Sequence, residues 1–285
     1  MHVLIYGPNG WIGRQIIFTM TEKNISFTNG ISRCDDMSAL TAEIDSVNPT
    51  HVICAIGRTH ANGINTIDSL EEKDMLITNI TDNLYAPLCI AQVCKSKNIH
   101  MTYLGTGCIF NRDMKTHSYQ YTEDDEPDFF GSSYSVVKGT TDKLMKNMFY
   151  DTVLNVRIRM PIIDDLECKR NFVTKILTYP NICSIPNSMT YLPELIPIMI
   201  DMLMKKEVGT INLVNPDIIS HNQILELYKS NVDGTKTWTN ISIEEQNLIL
   251  KSKRSNNWLS TEKIESMYKI NSISDVFNNL FVSKT

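Results

Sequence analysis

Two groups of residues in this chain have types and spacings that can do chemistry. In Gly7-Pro8-Asn9-Gly10-Trp11-Ile12-Gly13, a glycine recurs at every third position. Where such a run joins a strand to a helix, the small residues let the backbone approach a pyrophosphate, whose charge the helix N-terminus stabilises. The second group is Tyr134-x-x-x-Lys138, which puts a phenol and an ammonium on one helix face. A phenol with a pKa near 10 is a poor acid or base at neutral pH, and a nearby ammonium stabilises its anion. Such pairs are common on helix surfaces; downstream of a dinucleotide-binding turn, this one points to catalysis. Counting about 20 residues past Gly13, to where an acid would hold a ribose 2′-hydroxyl, reaches Arg33. A guanidinium suits a 2′-phosphate, so NADPH is the expected cofactor. The nearby Asp35 and Asp36 keep NADH open.

The elements that position these groups can be read from periodicity. Residues 2–6 form an apolar strand that breaks into the glycine run, and residues 14–23 have helical spacing. Strands are expected at 25–28, 51–56 (ending at Gly57), 101–104 and 152–157, and helices at 37–47, 79–97 and 133–147. Strands alternating with helices make this an α/β chain with a Rossmann-type, doubly wound parallel sheet. Beyond residue 160 the regularity weakens and Pro161, Pro180, Pro186, Pro193 and Pro197 punctuate the chain. The expected organisation is a dinucleotide-binding domain over 1–160 and a smaller C-terminal, mainly substrate-binding lobe over 161–285, which can return segments to the sheet.

Composition removes several classes of function. The 285 residues are 42% hydrophobic and 21% charged, as in folded globular domains. The net charge is −5 with no Lys/Arg run, which disfavours a nucleic-acid or anionic-membrane partner. The N-terminus does not read as a signal peptide. The most apolar stretch, 192–204, is interrupted by Glu194 and Asp201 and is too short to span a bilayer. Seven cysteines with no C-x-x-C and no zinc-ligand spacing read as reduced thiols. A cytoplasmic location is expected, the host cytoplasm if the source is viral. Met199, Met202 and Met204 read as core, and His221 as a capping or packing residue at a helix start rather than an acid/base.

The chain resembles the extended short-chain dehydrogenase/reductases. In that family a Ser/Thr ends the strand before the Tyr/Lys helix, and here Leu104-Gly105-Thr106 fills the place. The resemblance implies a Thr106/Tyr134/Lys138 triad in which the tyrosine donates a proton and the lysine contacts the ribose. It also implies a structural or relay role for Asn79. Sugar-nucleotide 4,6-dehydratases carry Thr-Asp-Glu where this chain has Thr106-Gly107-Cys108, so the carboxylates of dehydration are missing. The run 104–110 is similar instead to the epimerase-reductases. Arg157-Ile158-Arg159-Met160-Pro161, the segments 170–176, 185–190 and 220–228, and Arg254-Ser255-Asn256-Asn257 are similar to the nucleotide-rhamnose synthase/epimerase-reductase that forms the C-terminal half of plant rhamnose synthases. The Asn- and Ile-rich composition suggests an AT-rich genome, and the free-standing form resembles a giant-virus version.

That resemblance implies a 3,5-epimerase/4-reductase acting on UDP-4-keto-6-deoxy-D-glucose or its dTDP form. Cys108 and Lys175 are implied as the epimerisation pair, because C3 and C5 protons are acidified by the C4 carbonyl and both groups can be tuned toward neutral pH. Which one removes the proton stays open. The expected cofactor surface is Gly7, Asn9, Gly10, Trp11, Ile12, Gly13, Arg33, Asp36, Ala55, Gly57, Asn79, Tyr134 and Lys138. The expected substrate surface is Thr106, Cys108, Asn171, Lys175, Asn187, Arg254 and Asn257, with Arg254 on the diphosphate. No metal is expected. A separate 4,6-dehydratase would supply the keto sugar, and similar enzymes are homodimers. The rivals are a reductase without epimerase activity and a non-catalytic dinucleotide-binding subunit.

Overall fold

A computed structural model describes residues 1–111 and 119–282. In chain order the strands are β1 (Val3–Tyr6), β2 (Phe27–Asn29), β3 (His51–Cys54), β4 (His100–Thr106), β5 (Val153–Ile158), β6 (Pro161–Ile162), β7 (Asn181–Ile182), β8 (Thr190–Tyr191), β9 (Gly209–Asn212) and β10 (Thr239–Asn240). The helices are α1 (Trp11–Glu22), α2 (Met37–Val47), α3 (Leu76–Ile80), α4 (Ala86–Ser96), α5 (Ser133–Met148), α6 (Phe172–Thr178), α7 (Leu192–Met204), α8 (His221–Asn231), α9 (Ile243–Ile249), α10 (Glu262–Glu265) and α11 (Ile273–Val282).

Six strands form one parallel sheet in the order β2-β1-β3-β4-β5-β9. Every residue of β1, β3, β4 and β5 is buried, as expected of parallel strands covered by helices on both faces. The strand order reverses at β1, and in such sheets ligands bind in the crevice beyond the carboxyl ends of the strands at that point. The glycine turn follows β1, Ala55 follows β3, and Thr106 ends β4, so all three open on that crevice.

The sheet continues past residue 160. α7 crosses back to pack against α1, and β9 pairs with β5. Met199 and Met202 lie in the core as the sequence suggests, but Met204, at the end of α7, is 40% exposed. The remaining lobe packs β6, β8, α6, α8 and α11 around Ile162, Val173, Ile176, Ile224, Phe277 and Phe281. Among the described residues no helix is long and apolar enough to cross a membrane, and all seven cysteines are free.

One helix has a local irregularity with a simple cause. α3 and α4 are continuous through a wider π turn, Thr81–Tyr85. Pro87, in the first turn of α4, has no N–H to give the carbonyl four residues back. That carbonyl, on Asn83, instead accepts a hydrogen bond from Thr141 Oγ1 of α5 at 2.7 Å. The turn ties α5 to the helix beneath it and leaves the Asn83 side chain at the crevice.

Candidate active site

The crevice is a cavity of about 640 Å³ between the sheet and the C-terminal lobe. At its sheet end the glycine turn is defined by contacts that admit no side chain. Gly7 has φ +84°, and a Cβ there would lie 2.7 Å from the Ala55 carbonyl carbon and oxygen. A Cβ on Gly13 would lie 2.1 Å from the Gly7 oxygen. Gly10 is the N-cap of α1, which has no side-chain cap and no acidic residue in its first turn. The first N–H groups of α1 are therefore free for an anion. The buried Trp11 indole nitrogen, on the cavity wall, has no hydrogen-bond partner among the described residues. This donor set with its bare backbone cradle fits a dinucleotide pyrophosphate.

The Tyr/Lys pair stands where β4 and α5 meet. Ser132 caps α5 through the Ser135 N–H, which sets Tyr134 and Lys138 on its inward face; both are buried. Lys138 Nζ donates to Tyr103 OH and to the Leu104 carbonyl, the latter at 3.2 Å, and lies 4.4 Å from the Tyr103 ring centre. Burial pushes the lysine down to about 8, against the pull of nearby thiols and Asp142. Tyr134 is hydrogen-bonded to Thr106, and burial drives its phenol well above the usual range, opposed by that bond and by the Arg159 charge. It is a proton-bearing group awaiting a strong acceptor.

Cys108 sits two residues beyond Thr106, whose Oγ1 accepts a hydrogen bond from the Cys108 N–H at 3.1 Å. Its carbonyl accepts from Ser135 Oγ at 2.7 Å, and its sulfur from Arg159 Nη1 at 2.9 Å. Lys175, on α6, reaches the same cavity from the other lobe and donates to the Asn65 carbonyl at 3.1 Å. Its pKa is lowered by burial and by the charges of Arg170 and Arg254. Arg254 also lines the cavity and pairs with Asp68. Although burial raises it, the hydrogen bonds and charge of Arg254 hold the Asp68 carboxyl at about 2.

Thr106, Cys108, Tyr134, Lys138, Lys175 and Arg254 thus share one cavity with Asn9, Gly10, Trp11, Ile12, Gly13, Ala55 and Gly57. Other expected residues stand apart from it. Asn79 is fully buried, donating to Ser133 Oγ at 3.3 Å and accepting from Asn83; the residue one turn on, Asn83, is the one at the wall. Asn171 caps α6 and donates to the carbonyls of Ile163 and Asp165 at 2.8 and 2.9 Å. Asn187 engages Arg159 and Asn256, and Asn257 donates to the carbonyls of Gly107 and Phe110. These three buried amides are bonded to neighbouring loops, and none is among the residues that line the cavity. Asp36 Oδ1 caps α2 at 3.0 Å from the N–H groups of Ser38 and Ala39. Arg33 is exposed and in a two-pronged pair with Asp35. His221 does not cap α8, since Ser220 and Gln223 form the capping box. The ring packs against Phe172, donates from Nδ1 to the Cys183 carbonyl at 2.9 Å, and lines the cavity.

Arg159 was given no role by the sequence. Its signal is faint: two arginines at alternating positions, Arg157 in β5 and Arg159 just past its end.

Parallel sheet, glycine turn and a Thr/Tyr/Lys group at the switch point define an extended short-chain dehydrogenase/reductase. Residues 1–178 match the family model described as the RmlD substrate binding domain. Protein L780 of Acanthamoeba polyphaga mimivirus is 50% identical over 270 residues, 94% of this chain and 93% of that one. Its crystal structure, described as a UDP-rhamnose synthase, matches with a TM-score of 0.96 and 47% identity over 99% of both chains. A bifunctional dTDP-4-dehydrorhamnose 3,5-epimerase/dTDP-4-dehydrorhamnose reductase of Arabidopsis thaliana is 38% identical over 268 residues, 93% of this chain and 87% of that one. A dTDP-4-dehydrorhamnose reductase of Bacillus anthracis, solved with NADP, has the same fold, with a TM-score of 0.78 and 14% identity over 100% of this chain and 98% of that one. The chain belongs to the nucleotide-rhamnose synthase/epimerase-reductase family.

Proposed function

We propose that this protein is a bifunctional 3,5-epimerase/4-reductase that converts UDP-4-keto-6-deoxy-D-glucose to UDP-L-rhamnose with NADPH. The observation that carries the reading is the meeting of Thr106, Tyr134 and Lys138 with Cys108 and Lys175 around one cavity. A nicotinamide dinucleotide, when bound, supplies hydride; the glycine turn, Ala55, Gly57, Tyr134 and Lys138 are the residues to hold it. Tyr134 gives its proton to the C4 oxygen, and the Lys138 charge beside it favours the phenolate left behind. Cys108 and Lys175 exchange the C3 and C5 protons, which the C4 carbonyl acidifies. Arg254, oriented by Asp68, takes the diphosphate with a fork suited to paired oxygens. Arg33 favours NADPH over NADH by meeting the 2′-phosphate.

With Gly107 and Cys108 where a dehydratase has its carboxylates, the keto sugar comes from a separate 4,6-dehydratase. A homodimer would cover Leu76 and Ile77 on α3, which are 55% and 79% exposed. The deciding experiment incubates the protein with UDP- or dTDP-4-keto-6-deoxyglucose and NADPH and identifies the sugar by NMR. Nucleotide-L-rhamnose is expected, with the UDP form turned over faster. Reduction to an unepimerised 6-deoxy sugar would remove the epimerase half, and no NADPH oxidation would remove the whole reading.

A further inference from the structure

We propose that Arg159 is the charge partner of the Cys108 sulfur and stabilises the thiolate through which Cys108 moves protons. This rests on the reading of Cys108 as a proton-transfer group. In either direction of transfer the sulfur alternates between two states. The thiolate takes a proton from the carbon beside the carbonyl, leaving an enolate and a thiol. When the thiol returns a proton to that carbon, the thiolate forms again. Arg159 lowers the energy of the anionic state in both.

Arg159 is a buried cation, 2% exposed. Its guanidinium donates to Cys108 Sγ at 2.9 Å, to Asn187 Oδ1 at 2.6 Å and to the Ser255 carbonyl at 2.5 Å. Among the described residues, no carboxylate pairs with it. Arg157, two residues earlier and equally buried, shows what the fold supplies when a guanidinium is structural: Asp142 takes its Nε and Nη2 at 2.9 and 2.6 Å. A buried, isolated cation is costly, and arginine cannot relieve the cost by losing its proton. Of the three atoms it touches, only the sulfur can become an anion. The contact is as short as a charge-assisted N–H···O bond although sulfur is the larger atom.

The backbone holds this contact in place. Arg159 N donates to Thr190 Oγ1 at 2.9 Å, and its carbonyl accepts from Thr190 N at 2.8 Å. The next residue, Met160, has φ +38°, a left-handed conformation that a long side chain rarely adopts. Strain of this kind persists where the surroundings over-determine the geometry, often beside functional groups. Among the described residues, the other titratable groups facing the sulfur come from α5. They are Lys138, a second cation, and Tyr134, whose phenol is kept protonated by burial and by charge on Cys108.

The test reads the thiol without substrate. Alkylation of Cys108 by iodoacetamide is followed by peptide mass spectrometry on the full chain between pH 6.5 and 8.5. An unassisted thiol with a pKa near 8.5 changes rate by about 50-fold over that range. The expected profile for Cys108 is nearly flat, less than about 5-fold. Arg159→Met should restore most of the steep dependence and Arg159→Lys part of it. Asn187→Asp, which sets a carboxylate on the guanidinium and leaves Arg159 in place, should steepen it too. A steep profile in the unsubstituted protein overturns the proposal even if no variant folds. So does a flat profile in a folded Arg159→Met protein. Because no sugar is present, these outcomes stand apart from the epimerase reading, which deuterium exchange into the keto sugar tests by itself.

Discussion

Along the sheet side of the cavity, the glycine turn offers backbone and Lys138 a side chain fixed at more than one point. The glycine turn is set by atoms 2.1–2.7 Å from where a Cβ would lie, and Lys138 is held by Tyr103 and Leu104. Across the cavity, Lys175, Arg170 and Arg254 are long cations from different segments, anchored by Asn65, His60 and Asp68. Burial lowers the pKa of His60, and the Arg170, Arg58 and Lys175 charges lower it further. One side is preorganised in a low-dielectric setting, which is where fixed dipoles act most strongly on a developing charge. The other concentrates positive charge on flexible stems, a setting for an anionic substrate. The proposed reduction is separated from the proposed epimerisation by needing the first side only, whereas epimerisation draws on Cys108 from the first side and Lys175 from the second.

That separation can be broken by single substitutions. Tyr134→Phe should lower NADPH oxidation by about 10²- to 10⁴-fold, as expected for losing a general acid. In D₂O the same variant should still wash deuterium into C3 and C5 of the keto sugar. Cys108→Ala should do the reverse, losing exchange at one or both carbons while binding NADPH as tightly as the parent. Mass spectrometry of the recovered sugar reads both, and unchanged deuterium uptake in both Cys108→Ala and Lys175→Ala would show that these two residues do not carry the second chemistry.

A smaller effect sharpens the cofactor end. The proposed contact of Arg33 with a 2′-phosphate predicts that Arg33→Ala weakens NADPH binding by roughly 10- to 150-fold and leaves NADH binding unchanged. Equal losses for the two cofactors, measured by titration, would remove the assignment. Releasing Asp35 from Arg33 does not alter this sign, because the pair is exposed and contributes little.

The smallest expected effect is on stability. His51 at the start of β3 and His221 in the lobe are both held near 4, chiefly by burial. Unfolded, each ring takes up a proton near pH 6.5; folded, it refuses one until about 4. Stability should therefore be full above pH 6.5 and fall as pH drops toward 4, by on the order of 1–3 kcal/mol. Thermal unfolding across that window should show Tm declining, with a shallower decline in His51→Gln. A Tm that rises on acidification would contradict the sign.

The sequence reveals what depends on backbone and hides what depends on long-range partners. The glycine turn, the Tyr/Lys helix and the alternation of strands are local patterns, and α2 occupies 37–47 as periodicity indicates. Boundaries move where function intrudes. α1 begins at Trp11 rather than 14 because Gly10, inside the fingerprint, is its cap. The third strand ends at Cys54 rather than 56, where the chain turns to meet Gly7. The helix expected from 79 begins at Leu76, whose exposure with Ile77 spoils the apolar spacing. Whether Asn171, Asn187 and Asn257 meet a loop or a substrate is not legible in the sequence, because a polar residue in a motif carries no mark of its partner. Arg157 and Arg159 look alike for the same reason: the carboxylate that distinguishes them, Asp142, lies fifteen residues before Arg157 on another element.

The sixth strand has a consequence in time. β5 ends at Ile158 and its neighbour β9 begins at Gly209, so synthesis must advance 51 positions from one to the other. At about 5–20 residues per second, the ribosome needs roughly 3–10 s to cover them. During that interval β5 carries a bare hydrogen-bonding edge, the kind of template on which nascent chains aggregate. A fragment cut at residue 160 would keep that edge permanently. The nucleotide-binding half is thus recognisable by itself but finished only by the half that comes after it.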